Sequence, residues 1–287
     1  MTTHVLFTSA SVSVQNPVSL SFKEGFVKVF GDQNIIFLDE DEKTVQISLD
    51  RSTGSGFISK DPYNYAKFSA AIKLPIGYTA GVVVTFYTAN NEKYPNNHDE
   101  LDFEFLGNVE GENWILQTNV YGNGSMDRGR EERYNLSFVS ANDFHYYSIL
   151  WSKNWTIFYL DDVPIRQVPR IEAMGGDYPS KPMSLYATIW DGSGWATSGG
   201  EYKINYMYAP YNATYSNLTI DGCSVDPISQ SNKCGNGANI VAEFGGLTIE
   251  AKEKMKMFRD KNLIYSYCHD SQRYQTPLPE CMDTMSI

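Results

Sequence analysis

Short β-branched and aromatic runs separated by turn residues fill most of the chain. From residue 25 onward such runs fall at 27–30, 35–38, 44–49, 65–73 and 81–87, with turn or loop signals at Gly54-Ser55-Gly56, Asn90-Asn91 and Pro95-Asn96-Asn97. Further runs lie at 114–121, 134–139, 144–151, 155–160 and 163–168, the last two joined by an Asp161-Asp162 turn, and a strand pair is expected at 183–190 and 202–208. Helical periodicity is nearly absent before residue 245, so the pattern predicts an antiparallel all-β sandwich. Residues 247–259 hold a run of good helix formers and predict the one convincing helix, with 264–268 as a last strand. Residues 1–20, rich in Ser, Thr and Val, predict a loose lead-in or an edge strand.

One run differs from the rest. In residues 98–106 the period of two puts His98, Glu100, Asp102 and Glu104 on one face and Asp99, Leu101, Phe103 and Phe105 on the other. The second face is mostly apolar and can pack on a core. Three carboxylates then stand in a row, which is self-repelling and raises their proton affinity. A solvated strand face explains any one of them, but not three acids at alternate positions opposite a hydrophobic face. Glycoside cleavage with retention uses such acids, one as nucleophile and one as proton donor, about 5 to 5.5 Å apart. Residues four apart on an extended strand are about 13 Å apart at Cα, so strand spacing alone does not supply that separation. Oxygen ligation of a hard cation is the competing use. No Asp-rich calcium loop accompanies the acids, so neither metal nor cofactor is expected, and His98 is expected to hydrogen-bond Glu100 or substrate.

Composition narrows the partners. The 287 residues suit one large β sandwich, and 20 Tyr, 15 Phe and 5 Trp suit β-core packing as well as sugar-stacking surfaces. A formal net charge of -11 repels nucleic acid and anionic membranes but not a neutral polymer such as polysaccharide. No stretch approaches the roughly 20 apolar residues of a membrane span, and a monomer is expected. The four cysteines, Cys223, Cys234, Cys268 and Cys281, lack zinc-like spacing and allow three disulfide connectivities. Together with five N-x-[ST] acceptors, at Asn123, Asn135, Asn154, Asn212 and Asn217, they point to the secretory route, with one or two acceptors used. Residues 1–14 lack the basic start and apolar run of a signal peptide, so a mature form with an added Met1 is expected.

The stretch from His98 to Gly107 resembles the H-D-E-[IL]-D-F-E-F-L-G signature of plant xyloglucan endotransglucosylase/hydrolases, members of a large glycoside hydrolase family of laminarinase-like jelly rolls. Residues 117–121, 128–133, 161–166 and 190–200 resemble the family too, and similarity runs from about residue 22 to 281. The resemblance implies a concanavalin-like β jelly roll over 1–220 and a C-terminal extension over 221–287 that adds a helix and a strand and lengthens the cleft. It makes Glu100 the nucleophile, Glu104 the general acid/base and Asp102 the residue that orients and tunes Glu100. His98, Gln117, Asn119, Arg130, Glu131, Arg133, Trp190, Trp195, Gly200 and Arg259 become substrate-binding positions, with the two tryptophans as sugar platforms and Arg259 holding a branched acceptor. Disulfides Cys223 with Cys234 and Cys268 with Cys281 follow from the same resemblance. The chain departs from the family after the motif, where Asn108-Val109-Glu110 is no acceptor and Asn123 takes the glycan, as in one divergent subgroup. Residues 226–246 match poorly.

The expected activity is cleavage of a β-1,4-glucan backbone and transfer of the glycosyl-enzyme to another glucan chain in the cell wall, with xyloglucan as donor. Cellulose or mixed-linkage glucan as donor, as in hetero-trans-β-glucanases, and plain endo-hydrolysis are close alternatives. A jelly-roll lectin without catalysis is the alternative of a different class.

Overall fold

The computed structural model describes residues 18–137, 141–226, 228–229, 231–234 and 239–282. The expectation for residues 1–17 and the end of the 134–139 run lie outside them.

Two antiparallel sheets face each other. In chain order the strands are β1 (Phe26–Phe30), β2 (Ile35–Phe37), β3 (Thr44–Leu49), β4 (Ser55–Ser59), β5 (Tyr63–Lys73), β6 (Val82–Ala89), β7 (Glu100–Leu106), β8 (Ile115–Tyr121), β9 (Glu132–Asn135), β10 (His145–Trp151), β11 (Trp155–Leu160), β12 (Val163–Pro169), β13 (Ser184–Asp191), β14 (Tyr211–Ser224) and β15 (Leu263–Ser266). Helices α1 (Phe22–Gly25) and α2 (Ile249–Asn262) are the α-helical elements of the described residues. One sheet runs β1-β4-β13-β6-β7-β8-β9-β15, the other β12-β11-β10-β5-β14-β3-β2.

The apolar face of β7 explains why the sheets stack where they do. Leu101, Phe103 and Phe105 are fully buried. Phe103 meets Phe158 edge-on at 5.1 Å and Phe105 meets Tyr147 at 4.7 Å, so rings from both sheets interlock beneath the acid row. Such pairs add about 0.5–1.5 kcal/mol each beyond the area they bury. Asp99 shares the buried side and would be costly there without partners. Its carboxylate accepts from the backbone N–H of Asn123, Ser180 and Lys181 and pairs with Lys181 Nζ, which clasps two loops to the start of β7. At the other end the motif closes with Gly107, where any Cβ would collide with the Thr79 carbonyl oxygen.

Three elements differ from the sequence expectation. Residues 202–208 form no strand, only a bridge between Tyr202 and Thr197 and a turn at Asn205, because β13 is already paired on both sides by β4 and β6. The Gly54-Ser55-Gly56 signal opens β4 instead of a turn. A Cβ at Gly56 would sit 2.8 Å from both the Phe30 ring and Thr188, so this glycine serves close packing. β14 gave no sequence signal, since its outward positions are polar and a bulge between Ser216 and Thr219 breaks its alternation.

β14 crosses residue 221, so the chain passes into the C-terminal extension inside a strand of the main sandwich. β15 then adds to the acid-bearing sheet beside β9. Thr248 caps α2 by accepting from Ala251 N–H. Both disulfides implied by the resemblance are formed, Cys223–Cys234 and Cys268–Cys281.

Candidate active site

Strand register builds the site. Glu100 lies between Ala89 of β6 and Tyr121 of β8, Asp102 between Tyr87 and Asn119, and Glu104 between Thr85 and Gln117. Directly opposed residues share a face, so the three acids have Tyr87, Thr85 and Gln117 as flanking side chains. The acids, Tyr87 and Thr85, together with Thr188, Trp190 and Asn91, line an open cavity of about 270 Å³.

The acids are electrostatically one unit. Burial pushes Glu100 up to about 7, with a hydrogen bond from Asp102 opposing and the Glu104 charge adding to the rise. Asp102 is raised well above its ordinary value, first by burial and then by its two carboxylate neighbours, and it is the hydrogen-bond donor to Glu100. Burial also raises Glu104, while Gln117 opposes, Glu131 adds and Arg133 opposes. His98 Nε2 stands 3.6 Å from Glu100 Oε2, and burial lowers the imidazole's proton affinity. A neutral ring beside Glu100 leaves that acid's charge uncompensated.

Around Glu104 the polar groups form a chain. Gln117 Nε2 donates to Glu104 Oε2 at 2.6 Å, Arg133 Nε donates to Gln117 Oε1 at 2.7 Å, and the Arg133 guanidinium lies 5.5 Å from the centre of the Tyr265 ring. Glu131 is held by both terminal nitrogens of Arg273, at 2.6 and 3.2 Å. Beyond Glu104 the face turns apolar. Val83, Leu106 and Ala196 form a small buried cluster under Trp190 and Trp195, whose half-buried rings are 6.1 Å apart. Level with Asp102, across β6 and β13, Tyr87 stacks on Tyr186 at 4.9 Å.

A row of acids on a sheet flanked by aromatic rings on both sides is the layout of a polymer-cleaving groove, and comparison with known proteins agrees. The model of glycosyl hydrolases family 16 matches residues 22–208, and that of the xyloglucan endo-transglycosylase C-terminus matches residues 235–281. Probable xyloglucan endotransglucosylase/hydrolase protein 27 of Arabidopsis thaliana is 54% identical over 271 residues, which cover 94% of this chain and 81% of that one. Protein 28 of the same plant is 51% identical over 283 residues, covering 96% and 84%. The chain belongs to the xyloglucan endotransglucosylase/hydrolase family.

It is thereby an enzyme of the glycoside hydrolase and glycosyl transferase class. The same architecture recurs in a β-1,3-1,4-glucanase derived from a mouse hindgut metagenome, at 22% identity and TM-score 0.56 over 72% of this chain and 97% of the other. It recurs again in a Bacillus licheniformis β-glucanase, at 22% identity and TM-score 0.54 over 68% and 91%. At such identity these two bear on the fold alone, a β jelly roll.

Not every position carried over from the xyloglucan endotransglucosylase/hydrolase resemblance lies in the cleft. Arg130 is fully buried, ion-paired to Glu280 and to Asp177, so its guanidinium is a core clasp and not a sugar contact. Arg259 is on the wrong side of the sheet. Glu132 and Tyr134 alternate with cleft-facing Arg133, and Arg259 grips Glu132 through two hydrogen bonds at 2.6 and 2.9 Å while its neighbour Phe258 packs on Tyr134. Gly200, at φ +91°, is required by the loop itself, because a Cβ would stand 2.5 Å from the Gly194 carbonyl oxygen. Asn119 shares the acid face, but its side-chain oxygen already accepts from Val120 and Arg130 N–H. Asn123 is an exposed turn residue at φ 52°.

Sequence reading missed Thr85, Tyr87, Tyr186, Tyr265 and Arg273. Each is unremarkable along the chain; the first four reach the site through strand pairing, and Arg273 through its ion pair with Glu131. Arg273, not Arg259, brings a cationic side chain of the extension to the acid-bearing edge, where it pairs with Glu131.

Proposed function

We propose that this enzyme cleaves a β-1,4-glucan backbone with retention and passes the glycosyl group to the hydroxyl of a second chain. Glu100 is the nucleophile, Glu104 the general acid and then base, and Asp102 holds and tunes Glu100. The observation that carries this reading is the division of environments along one strand. Glu100 takes a hydrogen bond from Asp102 and stands 3.6 Å from a neutral His98, whereas Glu104 is held by an amide that Arg133 orients. Two carboxyl groups set apart in this way can take up different protonation roles.

Chemistry follows from those neighbours. Asp102, protonated in the free site, donates to Glu100 and can pass charge stabilisation to it as the carboxylate attacks the anomeric carbon. Glu104 delivers its proton to the departing sugar oxygen and, once ionised, takes a proton from the incoming hydroxyl. Water competes at this step, and an acceptor wins when it is bound in register. Tyr265, Arg133 and Arg273 supply a surface for that on the β9–β15 side of the acid row, and Tyr87, Tyr186, Trp190 and Trp195 supply one on the β6–β13 side. Aromatic faces suit pyranose C–H surfaces.

Xyloglucan is the proposed donor and acceptor, because the relatives at 54% and 51% identity are named for it. Secretion to the cell wall accompanies that reading, supported by two disulfides. Among the described residues no helix is long and apolar enough to cross a membrane.

The test mixes the protein with xyloglucan, cellulose or mixed-linkage glucan and fluorescent xyloglucan oligosaccharides. Label should become polymer-bound with xyloglucan, and Glu100→Ala should abolish incorporation. Release mainly of reducing ends at saturating acceptor would make it a hydrolase, and unchanged chain length would make it a lectin.

A further inference from the structure

The outer face of the seven-stranded sheet, remote from the acids, carries a groove of about 430 Å³. That is within the size of small-ligand sites, about 300–1,000 Å³. Gln46, Lys73, Ile76, Tyr208, Asn212 and Thr214 line it. Two of these belong to one acceptor sequence, Asn212-Ala213-Thr214. Strand alternation puts Asn212 and Thr214 on the outer face, Asn212 exposed and Thr214 covered by its neighbours, while Tyr211, Ala213 and Tyr215 are buried in the core.

Asn212 is exposed, and Ser48 Oγ donates to its Oδ1 at 2.7 Å. Its Nδ2 makes no hydrogen bond within the described residues. The side chain is therefore fixed through its oxygen and left available at the nitrogen. The groove wall also carries exposed apolar side chains: Tyr208 is 54% and Ile76 64% exposed. Tyr208 is not a loose ring, because it stacks on Tyr78 at 5.4 Å with 20° between planes. A held aromatic face beside amide, ammonium and hydroxyl groups is the surface chemistry that takes a pyranose ring. Asn135 offers the opposite situation, with its side-chain oxygen buried and unpartnered.

We propose that Asn212 carries an N-linked glycan whose first sugars lie in this groove against Tyr208. The proposal rests on the secretory route of the proposed function. The co-reactant is a lipid-diphosphate-linked oligosaccharide. Asn212 Nδ2 forms the new bond to its anomeric carbon, the anomeric C–O bond breaks, the lipid diphosphate leaves with the electron pair, and the amide proton passes to base. The glycan covers exposed apolar surface and, being on the sheet opposite the acids, leaves the cleft open.

The test uses the protein secreted from plant or yeast cells. Amidase release of glycans in heavy-oxygen water converts each glycan-bearing Asn to a labelled Asp, which peptide mass spectrometry locates. Label at Asn212 in most molecules is expected. Trimming to the first sugar should leave Tm unchanged, and complete removal should lower it by several degrees. Tyr208→Ala should lower Tm in the glycosylated form more than in the deglycosylated form. An unlabelled Asn212 beside label at another acceptor overturns the proposal alone; no label at any acceptor overturns it together with the secretory route. Equal effects of Tyr208→Ala in both forms overturn the groove contact.

Discussion

Gln117 donates its side-chain amide to Glu104 Oε2 at 2.6 Å while its own oxygen accepts from Arg133. The hydrogen bond fixes which oxygen of Glu104 is occupied, so in the proposed mechanism the proton to be delivered sits on the other. It also opposes the rise in proton affinity that burial imposes.

Removing either support should therefore act on the acid/base. Gln117→Leu and Arg133→Leu should both raise the proton affinity of Glu104 and move the pH optimum for transfer upward. The loss in kcat should be about tenfold or more, short of the roughly 10²–10⁴ that acid–base catalysis contributes in full. A pH–rate profile with unchanged limbs in both variants would sink the relay.

The buried acids make a prediction for stability. Glu100, Asp102 and Glu104 are raised in the folded state, so each favours folding while protonated. That contribution is full below the ordinary carboxylate value near 4.5 and is lost as pH rises, through about 7 for Glu100. Glu132 behaves oppositely: burial alone would raise it, but Arg166 and Arg259 pull it down to about 2, so its contribution holds above about 4.5 and is lost as pH falls toward 2. Tm should peak near pH 4.5–5 and decline toward both sides. Glu100→Gln should abolish activity yet stabilise the protein at pH 7.5 by about 1–3 kcal/mol, and Asp102→Asn should also flatten the alkaline decline. Calorimetry across pH checks both.

The two arginines of the extension should separate cleanly. Arg259→Ala removes a partner of the buried Glu132, with Arg166 left as its remaining cation, and should cost about 2–4 kcal/mol. Arg273→Ala breaks a more exposed pair and should change stability by no more than about 1 kcal/mol, while lowering transfer more than hydrolysis. Chemical denaturation with paired transfer and reducing-end assays decides this. A stable Arg259→Ala protein with a selective transfer defect would reverse the assignment.

Cys281 follows Glu280, whose carboxylate accepts from Arg130 and Tyr267. Closing the 13-residue separation between Cys268 and Cys281 is worth about 3 kcal/mol in the chain-entropy view. Cys268→Ser with Cys281→Ser should lose about that much, and Arg130, which leads through Glu131 into β9 and Arg133, should lose its Glu280 clasp with it. Expected with the lower Tm is a weaker dependence of rate on acceptor concentration; intact stability in the double variant would refute the estimate.

The sequence by itself determined what depends on neighbours along the chain. Alternation in residues 98–106 separates acids from Leu101, Phe103 and Phe105 in any extended conformation, because successive side chains on a strand point to opposite faces. The helix near residue 250 and most strands were legible for the same local reason. Tertiary structure decided everything that depends on which strands become neighbours. Tyr87, Gln117, Arg133 and Tyr265 meet Glu100 and Glu104 through pairings between distant segments. Arg130 and Arg259 look like Arg133 in sequence, yet burial beneath the sheet turned two of the three into structural ion pairs. The run at 202–208 carried a strand pattern, but both edges of β13 were already taken. Local patterning gives each residue a face; only long-range hydrogen bonding determines what that face meets.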